Sequence, residues 1–353
     1  GRDALEDVYA YIFKAEKALV RAQIVSGTHA IALVLFGLLR PGDEILSITG
    51  PPYDTLKTVI GIGEKREEGT LKDWGINYNE INLLLDKKFD VERLSKIITS
   101  KTKMILIQRS RGYSWRESLT IEDIKELVDA VRNINQEIII FVDNCYGEFV
   151  EKEEPIEIGA DIIAGSLIKN PGGGLSPTGG YIVGNQTLVE QVANRLTAPG
   201  LGKECGPALG INLPFYMGLF NGPHIVGEAI KAAIFTSKLF ESHGFDVSPK
   251  FDEKRGDIIQ AIKFNERNKL IRFCQGIQKA APIDSYVQPE PYKMPGYEDE
   301  VIMAGGTFIQ GSSIELSADA PLRPPYIGYF QGSFNYSHGK LGALIALSEV
   351  LKL

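Results

Sequence analysis

Apolar and polar positions follow two periods along this chain, and the change from one to the other marks its elements. Asp3 to Leu19 has helical spacing and no breaker. Ala22 to Val25 reads as a short strand and Ala30 to Leu39 as a helix that Pro41-Gly42-Asp43 ends. Glu44 to Ile48 is a strand, Gly50-Pro-Pro-Tyr53 a turn, and Asp54 to Ile60 the start of a helix. Gly61 to Asn77 is polar and irregular, a surface excursion. Asn79 to Leu85 and Lys103 to Gln108 read as strands, with a helix over Val91 to Ile98 between them. Ile121 to Asn133 is an amphipathic helix introduced by Thr120. Glu137 to Asp143 is an apolar strand, and Gly179 to Gly184 another. Asp161-Ile-Ile-Ala-Gly-Ser-Leu-Ile-Lys169 is too short, and too quickly broken by Pro171 and Gly172 to Gly174, to be a helix. Strands alternating with helices predict a parallel sheet with helices on both faces.

Beyond Leu188 the pattern changes. Gln186 to Leu196 is helical and Thr197 to Pro207 a flexible connection. A long helix from His224 to His243 is expected to bridge to a second domain. There, Asp257 to Phe264 and Gly305 to Ala318 read as strands, and Asn265 to Ala280 and Gly339 to Leu353 as helices. The expected division is a large domain over residues 1–223 and a small α+β domain over 224–353.

Charge and composition narrow the function classes. A net charge of −7 gives no reason to expect nucleic acid or an anionic membrane as partner. No apolar run reaches membrane-spanning length. Cys145, Cys205 and Cys274 are too scattered for a disulfide framework or a zinc site, so no metal is expected and a reducing cytoplasm is the simplest inference. The chain opens at Gly1, without methionine and already in a helical pattern, so a preceding segment is expected.

The chemistry lies at strand ends, where ligands of such sheets bind. Ser26, Tyr53, Gln108, Asp143 and Lys169 are all expected there. Lys169 precedes a glycine-rich turn, and desolvation at that place would lower its pKa and make it a usable amine nucleophile. Asp143 closes the neighbouring strand 26 positions earlier. An amine and a carboxylate so placed suit pyridoxal 5'-phosphate (PLP). That cofactor needs a Schiff-base lysine and an acid that keeps its ring nitrogen protonated. Its phosphate needs donors, and Ser26-Gly27-Thr28 at a helix start offers backbone N–H groups. Ser166 can add a hydroxyl. Ser166-x-x-Lys169 also fits the serine–lysine pair of acyl-serine enzymes, but their Ser-Asp-Asn and Lys-Thr-Gly partners are absent.

In this order, strand-Asp-Asn, Ser-x-x-Lys and Ser-Gly-Thr resemble the fold-type I PLP enzymes of the cystathionine and methionine lyase group. Gln108-Arg-Ser-Arg-Gly-Tyr-Ser-Trp-Arg116, Ser166-Leu-Ile-Lys-Asn-Pro-Gly-Gly-Gly174 and Gly311-Ser-Ser-Ile-Glu-Leu-Ser-Ala-Asp319 look like the methionine gamma-lyase-like, or aluminium-resistance, branch. The resemblance covers essentially the whole chain. It implies a PLP-dependent transferase-like fold, with a mostly parallel seven-stranded sheet and a small α+β C-terminal domain. It implies a carbon–sulfur lyase acting on a cystathionine-, methionine- or cysteine-like amino acid, in a homodimer or homotetramer. Transamination, racemisation, or a silent PLP-binding protein of the same fold would use the same core residues. Tyr53 falls where the family's cofactor-stacking tyrosine would. Ile168 stands where related lyases often carry a hydroxyl residue. An arginine for the substrate carboxylate is expected near Arg323, with Arg109, Arg111 and Arg116 as rivals, and Tyr113 and Tyr146 are expected to line the pocket.

Overall fold

The computed structural model describes residues 1–64, 67–83 and 91–352. The chain opens with α1 (Arg2–Ile12), β1 (Lys17–Arg21), α2 (Gly27–Leu38), β2 (Glu44–Ser47) and α3 (Asp54–Ile60). β3 (Asn77–Glu80), α4 (Val91–Ile97), β4 (Thr102–Gln108), α5 (Ile121–Ile134), β5 (Ile139–Asp143) and β6 (Ile162–Ser166) follow. Then come β7 (Gly180–Gly184), α6 (Gln186–Leu196) and the 30-residue α7 (Asn212–Glu241). The strands form a seven-stranded sheet in the order β1-β7-β6-β5-β4-β2-β3. Pairings from β3 through β6 are parallel; β7 runs antiparallel to both β6 and β1.

Successive strand residues feed opposite faces. Ile105, Ile107, Ile140, Val142 and Ile163 pack on one side with Ile124, Leu127 and Val131 of α5. Met104, Leu106, Phe141, Ile162 and Ile182 pack on the other with Ile31, Val34 and Leu35 of α2. Burial on both faces is why these strands are continuously apolar rather than alternating.

The second half holds β8 (Asp246–Ser248), β9 (Gln260–Lys263), α8 (Arg267–Lys279), β10 (Tyr292–Lys293), β11 (Glu300–Ala304), β12 (Ser317–Pro321), β13 (Ile327–Gln331) and α9 (Tyr336–Leu351). Its antiparallel sheet has the order β10-β11-β12-β13-β9-β8. Phe273 and Ile277 of α8 and Ala346 and Val350 of α9 cover it, against Ile302, Leu316 and Phe330.

Four sequence expectations need correcting. The first helix stops at Ile12, and Lys14 turns the chain with φ 54. Lys17–Arg21, expected partly as helix, is the edge strand, and Ala22 to Val25 is the turn beyond it. Periodicity cannot tell a short edge strand from the end of a helix; pairing with β7 decides it. The long helix begins twelve residues before His224, so Pro223 and the expected domain boundary both lie inside it. Its early part is held by packing. A Cβ on Gly218 would sit 2.3 Å from the Gly172 carbonyl oxygen, so only a glycine lets α7 press on the turn after Lys169. Finally, Gly305 to Leu316 is a connection rather than a strand, between β11 and β12. Of the expected strand over Asn79 to Leu85, residues 84 and 85 lie outside the described residues.

Candidate active site

Beyond the carboxyl ends of β4, β5 and β6 lies a cavity of about 310 Å³. Ser26, Gly27, Thr28, Tyr53, Asp143, Ser166 and Lys169 line it, and so do Gln108 and Tyr113. The registers explain the convergence. Gln108 closes β4 opposite Asp143, which closes β5, and Asp143 pairs with Ala164 two residues before the end of β6. Lys169 is not quite at a strand end. It lies three residues past β6, where it caps a single 3-10 turn over Asn170–Gly172.

Its Nζ stands 4.0 Å from the centroid of the Tyr146 ring. Asp143 is buried, and its Oδ1 accepts the Cys145 backbone N–H at 3.2 Å. Tyr53 caps α3, its backbone N–H donating to Gln108 Oε1 at 3.0 Å. Its hydroxyl shares a 3.0 Å hydrogen bond with Thr28 Oγ1. Ser26 caps α2, with Oγ accepting His29 N–H at 3.1 Å. That assigns His29 to the helix start.

Burial drives the electrostatics. It pushes the Asp143 carboxyl above its ordinary value, a rise that Lys169 partly offsets. Burial pulls the Lys169 amine down, but Cys145, Tyr146, Asp143 and Tyr53 outweigh it, and the amine ends well above its ordinary value. The expected lowering by desolvation is therefore reversed. Desolvation is the largest single influence, and only the four neighbouring groups together outweigh it. Burial and then Asp143 push the Tyr53 phenol far up, so it keeps its proton at neutral pH.

The wall fits PLP on its own chemistry. Ser166 Oγ is buried with no hydrogen-bond partner. It stands beside the start of α2, whose first N–H groups have no partner within the helix. A Cβ on Gly27 would come 3.1 Å from Ser166 Cβ and 3.3 Å from Cys145 Sγ, so the glycine keeps that cradle open. An unpartnered hydroxyl at a helix N-terminus suits a phosphate, and a buried carboxylate suits a protonated ring nitrogen.

The expected arginine is not on this wall. Arg323 bonds Asp299 Oδ2 at 3.0 Å and leans toward Asp54. Arg111 is buried, with Nη2 donating to Ser248 Oγ at 3.2 Å. Arg109 pairs with Glu151 and Glu154, and Arg116 donates to the Gln108 and Ser110 carbonyls. Arg109, Arg116 and Arg323 are engaged in these contacts, whereas Arg111 Nε and Nη1 are buried with no hydrogen-bond partner. Among the described residues, Lys169 is the only cationic side chain lining the cavity. The far wall, from the small sheet, holds Asp319, Tyr329, Gln331 and Tyr297. Asp319 was legible only as a charge in an otherwise small and apolar run, at the end of a recognised motif.

Among the described residues no helix is long and apolar enough to cross a membrane. No group of His, Cys, Asp or Glu there could hold a metal ion.

A protein-family model described as methionine gamma-lyase matches residues 1–351. The uncharacterised protein YnbB of Bacillus subtilis (strain 168) is 53% identical over 352 residues, covering 100% of this chain and 84% of that protein. A Clostridium novyi NT structure described as a carbon–sulfur lyase involved in aluminium resistance superposes with a TM-score of 0.94 at 55% identity, covering 99% of this chain and 82% of that one. A Campylobacter jejuni structure is named for O-acetylhomoserine (thiol)-lyase and carries N'-pyridoxyl-lysine-5'-monophosphate. It shares the fold at a TM-score of 0.65 and 15% identity, covering 99% of this chain and 85% of that one.

Proposed function

Because the chain belongs to the methionine gamma-lyase family, we propose that it is a PLP-dependent lyase that breaks a carbon–sulfur bond of a sulfur-containing amino acid. The observation that carries this is the cavity shared by Lys169, Asp143 and the unpartnered Ser166 hydroxyl. Lys169 Nζ would hold the cofactor, and as a free amine it would take and return a proton at the substrate's Cα. Asp143 would hold a proton on the ring nitrogen. The face of Tyr53 steadies the ring, while its hydroxyl stays a donor. Ser166 and the first turn of α2, with Gly27 and Thr28, would receive the phosphate. Bound PLP would supply an electron sink for the charge left at Cα. The proposed working form is a cytoplasmic homodimer or homotetramer with an amino acid as its small-molecule partner.

The test is borohydride treatment of PLP-saturated protein, with peptide mass spectrometry, beside an assay of cystathionine, methionine and cysteine for pyruvate, 2-oxobutyrate and ammonia. Labelling at Lys169 with release of an oxoacid is expected. An unlabelled Lys169, or labelled protein that releases no oxoacid from any of the three, would overturn the reading.

A further inference from the structure

The turn that follows β5 holds a backbone conformation that its sequence resists. Gly147 N–H donates to the Asn144 carbonyl at 2.9 Å, which closes a four-residue turn around Cys145 and Tyr146. Tyr146 has φ 70. A positive φ at the third position of a turn favours glycine or asparagine, and a bulky ring there carries strain. Two contacts hold it. Asn170, the residue directly after Lys169, is fully buried, and its Nδ2 donates to the Tyr146 carbonyl at 3.0 Å and to the Glu148 carbonyl at 2.9 Å. The Tyr146 hydroxyl donates to Gln331 Oε1 at 3.2 Å. One anchor fixes the backbone and the other the tip of the ring.

Between those anchors the ring face meets the lysine. Lys169 Nζ lies 4.0 Å from the ring centroid, and among the described residues Nζ forms no hydrogen bond or ion pair. A ring face attracts an ammonium through its quadrupole without taking a proton from it. Burial pushes the Tyr146 phenol up to about 12, with Lys169 opposing the rise, so the phenol stays neutral near pH 7. A carboxylate would bind the ammonium more tightly, but under the proposed function Asp143 is committed to the cofactor. The ring offers the free amine a hold that is weak enough to leave and that keeps its proton in place.

We propose that the Tyr146 ring is the seat of the free Lys169 amine, and that Asn170 is the positioning residue that keeps this seat against the lysine. This rests on the lyase reading, in which Lys169 is free while it moves a proton at the substrate's Cα. It adds the residue that holds the amine during that interval. A four-carbon side chain loose in the cavity loses its orientation toward Cα, whereas a seated one keeps it.

Lysine labelled with 13C at Cε reports the seat in cofactor-free protein, because a methylene beside an aromatic face is shifted upfield by the ring current. Lys169→Arg assigns the signal. The wild-type Lys169 signal is expected upfield of those of exposed lysines. Tyr146→Phe keeps the face and should keep the shift, and Tyr146→Leu should return the signal to the exposed-lysine range. Asn170→Ser, too short to bridge both carbonyls, should move it part of the way. A wild-type signal within that range, or one that Tyr146→Leu leaves in place, overturns the proposal. An unmoved signal in Asn170→Ser overturns the role of Asn170.

In PLP-saturated enzyme, exchange of the substrate's Cα proton with D2O, followed by NMR, reads the proton transfer itself. With whichever of cystathionine, methionine and cysteine exchanges, Tyr146→Leu should slow the maximal rate about tenfold and leave the half-saturating concentration within about twofold of the wild type. Tyr146→Phe should recover most of that loss. An undiminished rate in Tyr146→Leu, or a change in half-saturation alone, overturns the role. Exchange with none of the three, or an unlabelled Lys169 after borohydride, counts against the lyase reading and leaves the ring-current result to judge the seat.

Discussion

Under the proposed function Lys169 is the residue on which the chemistry turns, and its surroundings set a condition on its use. The free amine is held above its ordinary value of 10.5. Across the neutral range it is an ammonium, and only the deprotonated fraction attacks an aldehyde. That fraction grows about tenfold per pH unit until the raised pKa is reached. Stopped-flow capture of PLP by cofactor-free protein should therefore accelerate about tenfold per unit from about pH 7.5 to 9.5, with no plateau. A plateau below pH 9 would mean a lowered amine and refute this account. Asp143→Asn removes the carboxylate that helps hold the ammonium, so the plateau should then move to lower pH. The same variant should lose at least about a hundredfold in turnover, because the ring nitrogen loses its acid partner. Lys169→Ala should abolish both the visible absorption of the bound cofactor and oxoacid release.

At the scale of elements, the turn after Lys169 is held by glycines that nothing else can replace. Gly174 has φ 72, and a Cβ there would lie 2.0 Å from a ring carbon of Phe334. Gly174→Ala should destabilise by about 2 kcal/mol through strain and overpacking. It should also weaken PLP retention, because the turn carries the lysine. Thermal unfolding and cofactor dissociation check the two effects together. By contrast, no residue of α5 is among those lining the cavity. Thr120 Oγ1 accepts Asp123 N–H at 3.1 Å and Asp123 Oδ2 accepts Thr120 N–H at 2.8 Å, a reciprocal cap. Thr120→Ala should cost about 1 kcal/mol in denaturant titration while leaving kcat/KM unchanged.

Over the whole molecule, the cavity exists because two sheets meet. Strand ends of the large sheet supply the residues that suit the cofactor, and β12 and β13 supply Asp319, Tyr329 and Gln331. Asp257 helps fasten the halves. It is fully buried, and its Oδ2 accepts the Ser110 hydroxyl at 2.8 Å while Oδ1 accepts the Ile259 N–H at 3.0 Å. Ser110 lies in the loop that presents Tyr113, and Ile259 lines the cavity. Asp257→Ala should destabilise by about 3 kcal/mol, since it strands buried donors and the neighbouring Arg111. KM should rise more than kcat falls, because it shifts the far wall against an intact Lys169. Chemical denaturation with steady-state kinetics separates these outcomes.

Amino-acid order by itself determined many of the local units. The apolar runs ending in Gln108 and Asp143, the Thr120-capped helix and the glycine turn after Lys169 all depend on neighbours a few positions away. Near-range hydrogen bonding and side-chain shape are written in consecutive residues. Resemblance to a known family supplied the expected cofactor-stacking role of Tyr53 and the expectation of an arginine. What only the tertiary structure decided came from distant partners. Lys17–Arg21 is a strand because β7 offers it an edge. α7 passes through Pro223 because its glycine face packs on the lysine turn. The Lys169 amine is raised rather than lowered because, against desolvation, Cys145, Tyr146, Asp143 and Tyr53 close around it. That no arginine lines the cavity among the described residues was equally beyond the sequence: a guanidinium's partner is chosen by which carboxylates and carbonyls folding brings near, and no spacing along the chain encodes that choice.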